Sequence, residues 1–150
     1  MEIEKEIKQT VKFTSEYHKL SVNILYTASW LEISHTKKLK PYGLTPQQFN
    51  LLRILRGQHP NPATVNMLIE RMIDKSSNAS RLVDRLEQKG FVNRCTSVSD
   101  KRSVNVRITD KGLDTLKKLD EQYALLEEPI KSLSKDEARE LNRLLDKLRG

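Results

Sequence analysis

The sequence predicts a mainly α protein with a small β-hairpin, and three observations carry that prediction. Only 5 glycines and 5 prolines punctuate 150 residues, so the elements are few and long. Apolar residues recur at steps of three and four through most of the chain, the period of one helix face. Between residues 91 and 108 that period falls to two, as it does in strands.

The first element runs from about Ile3 to Leu39, with Phe13, Tyr17, Leu20, Ile24, Ala28 and Leu31 along one face. Pro41, Tyr42 and Gly43 end it. Thr45-Pro46-Gln47-Gln48 is a helix start: Thr45 caps, Pro46 suits the first turn and Gln48 completes a capping box. Phe49, Leu52 and Leu55 turn from that helix to the core. After the break at His59-Pro60-Asn61-Pro62 come two short ladders of the same i, i+3, i+4, i+7 spacing. Val65, Leu68, Ile69 and Met72 form the first, and Ala79, Leu82, Val83 and Leu86 the second. The polar segment Asp74 to Ser77 separates them and Lys89-Gly90 stops the second, which describes a helix-turn-helix.

Two strands follow, Phe91 to Thr96 and Val104 to Ile108, joined by the tip SVSDKRS. A helix opening at Thr109-Asp110 carries Leu116, Leu119, Tyr123, Leu126 and Ile130, and Pro129 predicts its end or a kink at Glu128. Ser134-Lys135-Asp136-Glu137 is a capping box for the last helix, with Ala138, Leu141, Leu145 and Leu148 on one face.

A helix-turn-helix running directly into a two-stranded hairpin is the plan of a winged helix. The expected organisation is one domain over residues 1–150, with a winged helix lobe at 44–110 flanked by helices at 1–42 and 111–150. The flanking helices have apolar stripes without an obvious mate in so short a chain, so they are expected to hold a homodimer.

The net charge of +7 is concentrated. Arg71 to Arg107 holds 9 basic and 4 acidic residues, whereas Ile108 to Gly150 holds 9 and 10. A local basic excess inside a helix-turn-helix suits a polyanion, because each cation placed on a phosphate releases counterions. The single cysteine, Cys95, excludes an internal disulfide and fits a reducing, cytoplasmic location. The acidic start MEIEKEIKQT is unlike a signal peptide, and no apolar run approaches the roughly 18 residues of a membrane span.

Burying the second ladder exposes Ser77, Asn78, Ser80, Arg81, Asp84 and Arg85. Small hydroxyls permit close approach to a groove, Asn reads adenine edges, and Arg pairs with guanine or phosphate. Ser76, Ser77, Asn78 and Arg81 lead as base contacts because they open the recognition helix. Asp100, Lys101 and Arg102 sit at the hairpin tip, where Asp100 can orient Arg102 toward the negative minor groove. Without a nucleophile-base pair, a Gly-rich phosphate loop or clustered metal ligands, an enzyme is not expected, nor any cofactor or metal. The alternative is a protein-interaction module built on a winged helix, which would not require the basic excess.

Three segments, LTPQQFNLLRIL, MLIERMIDKSSNASRLVDRLEQKGFV and SDKRSVNVRITDKG, resemble the MarR family of winged helix-turn-helix transcriptional regulators. The resemblance implies a homodimer on a pseudo-palindromic operator, with each recognition helix in a major groove and each Arg102 in the flanking minor groove. Ser76, Ser77, Asn78, Ser80 and Arg81 then become contacts of the recognition helix, and Thr64 and Asn66 meet phosphates. It further implies a repressor released by a small anionic or aromatic effector. Tyr26, Trp30, His35 and Tyr42 lie in the part of the chain where such a pocket would be built. Cys95 stands on a wing strand, unlike the N-terminal cysteine of the family's oxidation sensors. His18, His35 and His59 are too scattered to resemble its zinc sensors.

Overall fold

The computed structural model describes residues 2–96, 104–122 and 126–150. Among the described residues the main elements are α1 Ile3–Glu6, α2 Glu16–Leu39, α3 Pro46–Gln58, β1 Ala63–Thr64, α4 Val65–Arg71, α5 Ala79–Gln88, β2 Val92–Thr96, β3 Val104–Ile108, α6 Asp110–Glu121 and α7 Lys135–Arg149. Short 3-10 turns at Lys40–Tyr42 and Glu128–Ile130 supplement them.

The first element is broken where one long helix was expected. The chain leaves α1 at Ile7, Lys8 takes a left-handed φ of 52°, and α2 starts only after Ser15 accepts a hydrogen bond from the His18 N–H at 3.1 Å. A serine hydroxyl that caps serves a helix start better than a helix interior, which explains the late entry. The predicted capping boxes at Thr45/Gln48 and Ser134/Glu137 are both formed. Gly43 closes the turn before α3 at φ 68°, a conformation in which glycine is unstrained.

The sheet has three strands, not the two expected. Its order is β1-β3-β2, and β1 pairs antiparallel to β3 through Ala63 opposite Val106 and Thr64 opposite Asn105. Two residues are too few to show alternation in a sequence, and β1 exists because β3 offers it a partner edge. The helix after the hairpin also stops earlier than expected. The Gln122 N–H turns to the Leu119 carbonyl three residues back, ending α6 at Glu121 well before Pro129. Tyr123 lies outside the described residues.

The core is built almost wholly from Leu39 to Leu119. Leu51, Leu52 and Leu55 of α3, Leu68 of α4, Val83 and Leu86 of α5, Val92 and Val106 of the sheet and Leu116 of α6 meet in one cluster. Of the two ladders, Ile69 alone is exposed, because α4 turns the Leu68 edge of its stripe inward and leaves the other edge outside. Gly112 makes the join between sheet and α6 possible: a Cβ there would lie 2.6 Å from the Phe91 carbonyl oxygen and 2.6 Å from Ile108 Cγ1.

Candidate nucleic-acid interface

Helix α5 is held to the lobe by one face and offers the other. Ala79, Val83 and Leu86 are buried and Leu82 half-buried, which leaves Ser80, Arg81 and Arg85 exposed on the opposite side. Among the described residues no ion pair engages Arg81 or Arg85, so both guanidinium groups are open to a ligand. Each carries five N–H donors in a planar fork suited to phosphate or to the guanine edge.

The start of α5 is built by side-chain hydrogen bonds. The Asn78 side-chain oxygen accepts the Arg81 N–H at 3.0 Å and caps the helix. In the preceding turn, Asp74 Oδ1 accepts both the Ser76 hydroxyl at 2.6 Å and the Ser76 N–H at 2.9 Å. Those bonds, the hydroxyl first, hold the Asp74 carboxyl below its ordinary range. Of the expected contact residues in this stretch, Ser76, Asn78, Ser80, Arg81 and Arg85 are exposed, while Ser77 is half-buried. Thr64 caps α4 by accepting the Met67 N–H at 3.1 Å, and Asn66 beside it is exposed. Asp100, Lys101 and Arg102, expected at the wing tip, lie outside the described residues.

The far end of α5 is pinned by two lysines that sequence reasoning did not single out. Lys89 Nζ donates to the Gly43 carbonyl at 2.5 Å and to Gln48 Oε1 at 3.2 Å, reaching the turn that links α2 to α3. Lys111 Nζ at the start of α6 donates to the Lys89 carbonyl at 2.6 Å and stands 4.8 Å over the Phe91 ring. A third tie comes from Arg94 on β2, which pairs with Asp84 and Glu87 of α5.

The four residues suggested for an effector pocket do not converge. Tyr26 and Trp30 line a cleft of about 290 Å³ with Ile3 and Glu6, where the Tyr26 hydroxyl donates to Glu6 Oε2 at 3.0 Å. That bond raises the Tyr26 pKa by favouring the protonated hydroxyl. Tyr42 belongs instead to a broader cleft of about 620 Å³ with Phe91, Lys89, Lys111 and Lys118. His35 is half-buried and lines neither. Among the described residues no three His, Cys, Asp or Glu side chains cluster as metal ligands, and no helix is long and apolar enough to cross a membrane.

Comparison with known proteins places this arrangement. The profile of the MarR family matches residues 44–104. YkoM of Bacillus subtilis, an uncharacterized HTH-type transcriptional regulator, is 34% identical over 109 residues, which cover 72% of this chain and 70% of YkoM. A MarR-like transcription regulator from Bacillus cereus superposes with a TM-score of 0.79 at 28% identity, over 89% of this chain and 95% of that one. A cysteine-to-serine mutant of E. coli MarR, solved in complex with operator DNA, gives a TM-score of 0.79 at 26% identity, over 92% and 99% of the two chains. These relatives are regulators and not enzymes, in keeping with the absence of catalytic patterning in the sequence.

Proposed function

The chain belongs to the MarR family, and from the face that α5 presents we propose that it is a transcriptional regulator binding duplex DNA sequence-specifically as a homodimer. One observation carries the reading: among the described residues Arg81 and Arg85 stand exposed and without an ion pair on a helix capped by Asn78 at its start and pinned by Lys89 at its end. In this arrangement Ser76, Ser77, Asn78, Ser80 and Arg81 face base edges in the major groove, Arg85, Thr64 and Asn66 meet the backbone, and Arg102 enters the minor groove. The likeness to a protein solved on operator DNA supports the docking.

The dimer is supported by the faces of α2 and α7. Leu25 and Ile33 of α2 and Leu141, Leu144 and Leu148 of α7 are exposed large apolar residues. A two-fold assembly that buries them presents two α5 helices to a pseudo-palindromic site. Bound over a promoter, such a dimer represses. The cleft between Tyr42 and the three lysines suits a small anionic or aromatic effector whose binding releases the DNA, since among the described residues no carboxylate lines it.

The test is a titration of the purified protein against its own upstream intergenic DNA and a shuffled control, each at two salt concentrations. Tight binding that prefers the native fragment and weakens steeply with salt is expected. Binding to neither fragment at either salt would move the reading to a protein-interaction module.

A further inference from the structure

On the outer side of α5, Asp84 and Glu87 follow Arg81 at three-residue steps. Two carboxylates one helical turn apart repel each other, and Asp84 stands at i+3 from Arg81, the spacing at which a helical Arg and Asp ordinarily pair. In the structure they do not pair. Arg94 reaches across from β2, with one guanidinium nitrogen on Asp84 Oδ1 and another 3.3 Å from Glu87 Oε2. The Arg94 backbone N–H adds a bond to Glu87 Oε1 at 3.0 Å, so side chain and strand are held together. The Arg94 side chain is 33% exposed, against 49% for Asp84 and 39% for Glu87, so the triad is partly withdrawn from solvent.

We propose that Arg94 is a positioning residue for DNA binding: it occupies the acids of the recognition helix and so leaves Arg81 free for phosphate or base. Arg94 itself need not touch DNA. It serves as the partner that Asp84 would otherwise find one turn back on its own helix, while two bonds to Glu87 register the wing strand against α5. This assignment rests on the reading of α5 as the contact helix, and the experiment separates the two.

The experiment is a double-mutant cycle in DNA affinity at fixed salt with the full-length protein, built from R94A, D84N and R94A/D84N. Folding of each variant is confirmed by circular dichroism, and R94Q enters the cycle if R94A does not fold. R94A is expected to weaken operator binding by about tenfold. The dependence of log K on log salt should become shallower by about 0.9 for each Arg81 withdrawn. D84N should restore most of that affinity in the R94A background and change the parent little. Undiminished binding by R94A overturns the proposal. So does an equal D84N gain in both backgrounds, which reports only the removal of a negative charge, or no D84N rescue, which makes Arg94 a direct DNA contact. R81A is the control: parental affinity in R81A refutes α5 as the contact helix, whereas a weak R81A beside an unaffected R94A refutes the role of Arg94 alone.

Discussion

Helices α5 and α7 are built to the same local rules and end in different surroundings. Each has a side-chain cap, Asn78 in one case and the Ser134/Glu137 box in the other, and each alternates apolar and charged faces. α7 adds three i, i+3 ion pairs, Asp136 with Arg139, Glu140 with Arg143 and Asp146 with Arg149. Yet α5 buries Ala79, Val83 and Leu86, whereas none of the 15 residues of α7 is buried. α2 resembles α7: of its 24 residues only Leu39, at the root, is buried. Caps and surface ion pairs set where a helix begins and how it is registered, at about 0.2–0.5 kcal/mol per pair. Burial supplies the larger stabilisation, and among the described residues it falls almost wholly between Leu39 and Leu119. The outer helices keep exposed apolar faces, which the proposed dimer would cover.

That contrast can be broken most severely at α7. L144E/L148E is expected to leave the lobe folded and to weaken the proposed dimer by roughly a hundredfold or more, since in that assembly each carboxylate would be buried without a partner. Sedimentation velocity across a concentration series measures it, and an unchanged dimer would place the interface elsewhere. Leu86→Ala tests the other side: the residue is fully buried, so the loss is about 2–5 kcal/mol of unfolding free energy, with subunit association among folded molecules unchanged. Gly112→Ala should cost roughly 1–3 kcal/mol in urea denaturation, because the new methyl meets the Phe91 carbonyl, which cannot move without the strand.

Smaller effects sharpen the picture of α5. Asn78→Ala removes the cap and should cost about 1 kcal/mol, whereas Asn78→Asp keeps the cap and changes only what the side chain offers to DNA. Stability and base preference measured on both variants separate the two roles. Asp74 gives the smallest effect. Its carboxyl is held low by Ser76, so the turn gains stability that is fully present above the ordinary aspartate range and is lost only as pH falls through the lowered value. Carboxyl-carbon NMR should place the Asp74 midpoint below the ordinary aspartate value of about 3.9, and Ser76→Ala should return it toward that value.

The elements that were legible in the sequence are those whose signals are local. Thr45-Pro46-Gln47-Gln48 and Ser134 to Glu137 are capping boxes because four consecutive residues suffice to make one. The two ladders, the period-two run at Val104 to Ile108 and the stop at Gly90 are equally local. What escaped depends on partners distant in the chain. β1 forms only against β3, and the exposure of Ile69 depends on which edge of α4 meets α5. The break between α1 and α2 was missed because Phe13 and Tyr17 continue the helical spacing across it. Apolar residues also lie off the predicted stripe of α2, at Leu25, Tyr26, Trp30 and Ile33, all of them exposed. At the site, the outward face of α5 followed from the ladder, but the roles of Arg94, Lys89 and Lys111 are tertiary, and charge counts do not distinguish a structural cation from one facing DNA.

The lysine pins at the end of α5 make that helix a carried part. Lys89 fastens it to Gly43, at the root of α2, and Lys111 fastens it to the first turn of α6, which leads on toward α7. The turn after α2 and the first turn of α6 are therefore tied to the same end of the same helix. In an assembly that clasps the arms of two copies, the span between the two α5 helices is set at these roots. A small rotation of α2 against α6 would be multiplied along the lobe and arrive at the opposite end of α5 as a change of reach. Fit to a half-site spacing would then be lost with no contact on the DNA-facing surface having been altered.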